Sequence, residues 1–270
     1  VAISQSGETM DTLMAIRHAR EQQATVLSIC NTQGSSIPRE SDAVLYTHAG
    51  PEIAVASTKA FVAQITAEYL LGLYLAQIKG TLFHDEINGI LSSLKAIPEK
   101  IDWILKHDSE SIQDVAQKLV SQQTFLFLGR NVGYPVALEG ALKLKEIAYT
   151  FTQGFAAGEL KHGPIALIEE NVPVIVIVPS ACDRNVLHSK VISNIEEVKA
   201  RGAYTIAIAE EADPDVERYA DVIFWRPQCP TLVSPLVDVV PLQLFALYMA
   251  EAKQLDVDKP RNLAKSVTVE

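Results

Sequence analysis

The chain alternates between short apolar runs and longer stretches in which apolar positions recur every three or four residues. Val1-Ala2-Ile3 is an apolar run that meets a polar, glycine-containing loop from Ser4 to Thr9. Met10, Leu13 and Met14 follow at i, i+3 and i+4, the spacing of one helix face. Thr25 to Cys30 is the next strand-like run. Strand, loop, helix and strand in that order predict a parallel βαβ unit.

The same order returns further along. Val174 to Val178 is a buried-strand run, Pro179-Ser180-Ala181 its loop, residues near Asn185 to Ala200 a helix, and Tyr204 to Ile208 the following strand. The chain therefore carries an internal repeat of one α/β unit. Ahead of the second copy lie a strand (Thr124 to Leu128), a loop (Gly129 to Tyr134) and a helix (Pro135 to Tyr149) with proline in its first turn. The first copy shows no counterpart, so the repeat predicts that roughly 50 residues of the first domain, one βα unit with its connections, belong ahead of Val1.

Two amphipathic helices around Pro98, Glu86 to Leu105 and Ser109 to Ser121, are expected to join the copies, and Pro235 to Gln254 reads as a last helix. Phe61 to Leu75 is the most apolar helix candidate. Gln64, Thr66 and Glu68 interrupt it, so it reads as a core helix and not as a membrane span. From Leu255 to Glu270 neither periodicity holds, and Pro260 with Asp256, Asp258, Lys259 and Arg261 marks a tail or a lid. The expected division is a first domain over 1–80, linking helices over 81–121, a second domain over 122–254 and a tail over 255–270.

Composition narrows the function classes. A length of 270 residues suits about two domains, and 48% apolar with 21% charged residues is ordinary globular composition. The formal charge of -10 argues against a broad nucleic-acid surface, which needs clustered Lys and Arg. A phosphate ligand remains compatible with it, because local amides and hydroxyls can bind one. Cys30, Cys182 and Cys229 form no CxxC pair, which fits a reducing cytoplasm. No basic start followed by an apolar run marks a signal peptide, and no HExxH or Cys/His cluster marks a metal site.

Five segments could carry chemistry. Ser4-Gln5-Ser6-Gly7-Glu8-Thr9 sits between a strand end and a helix start, where free N–H groups and the helix dipole favour an anion; the alternative is a plain helix cap. In Ala54-Val55-Ala56-Ser57-Thr58-Lys59, Ser57 or Thr58 would cap the long apolar helix, with Lys59 in its first turn. Glu139, Lys143 and Glu146 lie at i, i+4 and i+7 on one helix face, as an exposed ion-pair stripe or, in a closed site, as a proton-transfer set. His162, in Gly158-Glu159-Leu160-Lys161-His162-Gly163-Pro164, is a loop histidine that is either solvated or an acid–base group. Lys265 near the chain's end is a solvated charge, or an amine able to attack a ketone if the tail folds over a cleft.

Together SQSGET, VASTKAF, EGALKLKEI, GELKHGP and PRNLAKSVTVE resemble, in order and approximate spacing, the isomerase half of the glucosamine-6-phosphate synthase family. SQSGET alone marks the wider sugar isomerase (SIS) superfamily, and the lysine-bearing tail narrows it. The resemblance implies two SIS domains, each a parallel sheet between helix layers, that bind fructose 6-phosphate without a cofactor. It implies that Ser4, Gln5, Ser6 and Thr9 hold the phosphate and that Val55 and Ser57 lie close to the sugar. Lys265 would form the imine, Glu146 would move a proton between C1 and C2 with Lys143 beside it, and His162 would open the ring from a neighbouring subunit of a homodimer. Ammonia would come from a glutaminase domain, which these residues do not include. Two alternatives share the loop and the fold: a catabolic enzyme that deaminates amino-sugar phosphates, and a sugar-phosphate-binding module without turnover.

Overall fold

Parallel strands buried on both faces read as nearly unbroken apolar runs, and the chain supplies them where the repeat predicts. The computed structural model describes residues 1–264, apart from the side chains of residues 183–185. The chain forms two compact units: Val1–Gly89 with the chain from Asp258 onward, and Ile90–Val257. The helices around Pro98 thus fall largely within the second unit.

In the first unit, β1 (Ala2–Ser4), α1 (Met10–Glu21), β2 (Leu27–Cys30), α2 (Ser36–Glu40) and β3 (Ala43–Tyr46) come in turn, then α3 (Lys59–Lys79) and the start of α4 (His84–Lys95). The sheet is parallel in the order β1-β2-β3, with Ile3 opposite Ile29 and Ile29 opposite Leu45. Leu13 and Ile16 from one face of α1 pack with Val26 and with Ile37 of α2. Neither α2 nor β3 stands out in the sequence, because each spans a single turn or a few residues.

The second unit continues with α5 (Ile97–His107), α6 (Ser109–Lys118), β4 (Thr124–Gly129), α7 (Gly133–Ala148) and β5 (Phe151–Ala156). Two 3-10 turns (Ala157–His162 and Pro164–Leu167) lead to β6 (Pro173–Ile177), α8 (Ala181–Lys199) and β7 (Tyr204–Glu210). Then come α9 (Pro214–Tyr219), β8 (Val222–Arg226) and α10 (Pro235–Ala252). All five strands are parallel, in the order β5-β4-β6-β7-β8. Alternate residues face opposite ways. Val174, Val176, Ala207 and Ala209 meet Val191, Ile195 and Val198 of α8, while Phe125 and Phe224 meet Phe245 of α10. Glycine allows the closest approach on that second side: a Cβ at Gly140 of α7 would press into Leu242 of α10.

The repeat is visible atom by atom. β1-α1-β2-α2-β3 and β6-α8-β7-α9-β8 share order and pairing. In each copy an aspartate just before the last strand caps the middle one: Asp42 Oδ2 accepts from Val26 N at 2.8 Å, and Asp221 Oδ2 accepts from Thr205 N at 2.8 Å.

One expectation changes. The helix over Phe61 to Leu75 is real, but α3 is not a core helix in this structure. Ala60, Ala67 and Leu73 are buried, whereas Leu70, Tyr74, Leu75 and Ile78 are exposed. Both α3 and α10 are long and apolar enough to cross a membrane by length and composition; α10 is mostly buried and α3 is not.

Candidate active site

The carboxyl end of a strand in a parallel sheet is where such folds bind ligands, and the hydroxyl-rich loop stands there. Residues 4–9 leave β1 and enter α1. Ser4 Oγ accepts from Gly7 N at 2.9 Å, and Ser6 Oγ accepts from Glu8 N at 3.2 Å, which curls the loop into consecutive tight turns. Gly7 holds φ +69°, and a Cβ there would overlap the Ser35 side chain, so this loop accepts glycine and little else. The Gln5 carbonyl accepts from Thr32 N at 3.2 Å, the Gly7 carbonyl from Ile37 N at 2.9 Å, and Glu8 Oε1 from Ser36 N at 2.9 Å. The neighbouring β2–α2 segment thus clamps the loop from behind. Thr9 is the N-cap of α1 but makes no side-chain capping bond. The simple helix-cap alternative therefore does not describe Thr9.

Val55 and Ser57 lie on the loop between β3 and α3, both half-buried. The Val55 amide donates to the Asp258 carbonyl at 3.0 Å, which ties the base of the C-terminal tail to this loop. The helix cap expected from Ser57 or Thr58 comes instead from Glu52, whose Oε2 accepts from Ala60 N at 2.9 Å. Lys59 donates to the Pro51 carbonyl at 2.6 Å. A carboxylate at the helix N-terminus offsets the cation that would otherwise oppose the dipole. A side chain eight residues upstream left no local signal in the sequence.

In the second unit, α7 carries the charged row, and the exposed-stripe alternative fails. Lys143 Nζ lies 2.6 Å from Glu146 Oε2 and 3.5 Å from Glu139 Oε1, with side-chain exposures of 5%, 22% and 11% respectively. Burial pushes the Glu139 carboxyl above its ordinary range, partly against the pull of Lys143. Lys143 thus bridges two carboxylates on one helix face and sits closer to Glu146 than to Glu139. His162 ends the first 3-10 turn and is exposed. Lys265 lies outside the described residues.

Sequence reasoning missed a buried charged group at the carboxyl edge of the second sheet. Arg226 ends β8 with no exposure, 3.0 Å from Glu210 and in contact with Asp238 of α10. A charge inside each of two apolar runs, FWR and LVDVV, was the available signal. Among the described residues, His188, Asp213 and Asp215 have spacing a metal could use. His188 is already bonded to Asp213 at 2.7 Å, and Asp213 caps α9.

Repeated parallel α/β units with a hydroxyl-rich loop at a strand's carboxyl end define an open α/β protein of the class that places ligands at that sheet edge. The chain belongs to the SIS domain family, whose pattern matches residues 1–74 and 118–252. It is 67% identical over 270 residues to the glutamine–fructose-6-phosphate aminotransferase (isomerizing) of Corynebacterium diphtheriae, covering 100% of this chain and 43% of that protein. The protein of the same name from Streptomyces coelicolor is 63% identical over 270 residues, again covering 100% of this chain and 44% of that protein. The chain thus spans less than half the length of these relatives. Among solved structures, the C-terminal domain of glucosamine-fructose-6-phosphate aminotransferase from Francisella tularensis superimposes with a TM-score of 0.89 at 39% identity. That match covers 96% of this chain and 72% of the other.

Proposed function

We propose that the chain is the isomerase part of a glutamine–fructose-6-phosphate aminotransferase, converting fructose 6-phosphate and ammonia into glucosamine 6-phosphate. The buried row Glu139-Lys143-Glu146 carries this reading, because it sets a carboxylate against an ammonium on one helix face, the pair of groups that proton transfer needs and phosphate binding alone does not. In this scheme the loop of Ser4, Gln5, Ser6 and Thr9 binds the phosphate, and Val55 and Ser57 line the sugar. His162 opens the ring. Its exposed position suits a group offered to a second copy in a homodimer. The Lys265 amine condenses with the ketone at C2, releasing water, and ammonia displaces it to leave an imine and free lysine. Glu146 takes a proton from C1 and returns it to C2, while the C1 hydroxyl proton passes to the imine nitrogen, so that C1 becomes the aldehyde and the imine becomes the amine. The ammonia comes from a glutaminase domain of a longer protein, and the three free cysteines fit a cytoplasmic setting.

The uncovered face of α3 belongs to the same reading. Its counterpart α10 packs against α7, and β6, the counterpart of β1, pairs on both edges. A βα unit outside this sequence would cover α3 and extend the sheet beyond β1.

Borohydride reduction in the presence of fructose 6-phosphate tests the assignment. The expected product is a covalent adduct on Lys265, located by peptide mass spectrometry, with ammonia-dependent formation of glucosamine 6-phosphate. An adduct on a different lysine would overturn the role of Lys265; net deamination without synthesis would favour the catabolic alternative.

A further inference from the structure

The C-terminal turn of α7 is held by a residue from another helix. α7 ends at Ala148, and Tyr149 turns the chain out of it with φ +53°, a left-handed conformation that usually falls to glycine. The last carbonyls of a helix lack partners within it and carry its partial negative charge. Here the Ala148 carbonyl accepts from Lys253 Nζ at 3.0 Å, and the same ammonium donates to Thr150 Oγ1 at 2.6 Å. Thr150 in turn donates its hydroxyl proton to the Ala148 carbonyl at 3.2 Å. The triangle is closed and dry on one side, since Ala148 and Thr150 are buried.

Lys253 stands at the C-cap of α10, directly where that helix gives way to the segment leading into the tail. Gln254, with φ +56°, makes the turn, and Leu255 N bonds back to the Ala250 carbonyl at 2.9 Å. One ammonium therefore fixes two things: the final turn of the helix bearing Glu146, two residues before Ala148, and the root of the segment that runs on towards Lys265.

We infer that Lys253 is a positioning residue for the reaction, clamping the end of α7 and the start of the tail so that the Glu146 carboxylate keeps a fixed place along its helix. The inference rests on the proton-transfer role proposed for Glu146. Its chemical logic is that a carboxylate moving a proton between adjacent carbons tolerates displacements well under 1 Å, while substrate binding does not depend on that carboxylate.

The test uses the intact protein, with fructose 6-phosphate and ammonia as substrates. Lys253→Met is expected to lower kcat on the order of tenfold with KM changed less than about twofold. Lys253→Arg, which can donate to both oxygens, should restore most of kcat, and Thr150→Val should show a smaller fall than Lys253→Met. Amide hydrogen exchange supplies a readout independent of turnover: residues 146–150 should exchange faster in Lys253→Met and return towards the wild-type rate in Lys253→Arg. Wild-type kcat in both Lys253→Met and Thr150→Val, or a change confined to KM, would overturn the clamp. If Lys253→Met does not fold, Thr150→Val and Lys253→Arg decide the matter by the same kcat and exchange criteria. A wild-type protein without activity would instead strike the proposed function, leaving the exchange result to judge the clamp by itself.

Discussion

Lys143 sets its ammonium 2.6 Å from Glu146 Oε2 on one side and 3.5 Å from Glu139 Oε1 on the other, so a single cation serves two carboxylates within three turns of α7. Removing it leaves two desolvated acids with no counter-charge. Lys143→Met is therefore expected to destabilise the second unit by about 3 kcal/mol near neutral pH. The loss should shrink as the pH is lowered and the carboxylates take up protons. Trp103 and Trp225 both lie in that unit, so urea titrations followed by tryptophan fluorescence at pH 5 and pH 8 check both points. Equal stability of the two proteins at both pH values would show that the row is not a coupled buried set.

Glu146→Gln separates chemistry from packing. The amide carbonyl can still accept from Lys143, so the helix should fold as before, but it cannot carry a proton. Turnover is expected to fall by about 10²–10⁴-fold while binding of fructose 6-phosphate, measured calorimetrically, stays within a few-fold of wild type. Undiminished turnover would return Glu146 to a purely structural ion pair.

The contrast between what could and could not be read beforehand follows from range. The repeated strand-helix-strand order was legible because parallel buried strands announce themselves as apolar runs such as PVIVI and YTIAIA. The hydroxyl-rich loop was legible for the same reason, since its place follows from the strand before it and the helix after it. By contrast, Glu139, Lys143 and Glu146 have the spacing of any surface stripe. Only tertiary packing buries them, and the helix that carries them packs against α10, an element distant in sequence. The capping of α3 by Glu52 and the clamp by Lys253 are likewise contacts across 8 and 105 residues, beyond the reach of local pattern.

Gly7 tests how tightly the loop proposed to bind phosphate is built. An alanine must hold φ near +69°, which disfavours any Cβ, and must also displace the Ser35 side chain. Gly7→Ala is expected to cost about 2–3 kcal/mol in the first unit and to weaken fructose 6-phosphate binding by at least about tenfold. Amide exchange of α1 and a calorimetric titration measure the two effects. Tight binding by the variant would mean that the loop does not form the phosphate site.

Asp108 gives the second unit a pH dependence of known sign. Its carboxyl is buried where α5 gives way to α6, with Oδ2 accepting from Trp225 N at 3.1 Å. Burial raises its pKa from 3.8 to about 6, against the opposing pull of that amide. Below about pH 4 the group is protonated folded or unfolded and exerts no effect; above about pH 6 it is ionised in both states and its desolvation counts in full. Stability should therefore fall as the pH rises through this window. Asp108→Asn keeps an acceptor for Trp225 N, and it should remove this component and stabilise the unit by about 1–2 kcal/mol at pH 7. Urea midpoints between pH 4 and pH 7 give the comparison; parallel curves for variant and wild type would contradict it.

The paired aspartates of the repeat should differ in strength for a reason the structure states. Asp42 Oδ2 accepts one short bond, from Val26 N, with Arg20 3.6 Å away at the other oxygen. Asp221 Oδ2 accepts from both Thr205 N and Thr205 Oγ1, at 2.8 and 2.7 Å, and Lys199 lies 3.0 Å from Oδ1. Removing either carboxylate strands a buried amide, and at the second site it also takes the short acceptor from the buried Thr205 hydroxyl, which keeps only the Asp221 amide at 3.1 Å and the Tyr219 carbonyl at 3.5 Å. Asp42→Ala is expected to cost about 1–2 kcal/mol and Asp221→Ala about 2–3 kcal/mol. Thr205→Val removes the hydroxyl that has lost its short acceptor, so combined with Asp221→Ala it should cost less than the sum of the two single changes. Amide exchange of β2 and β7 reads each site within its own unit. Equal costs at the two positions, with strict additivity at the second, would mean that the hydroxyl contributes nothing and that the two copies are anchored by the backbone bond alone.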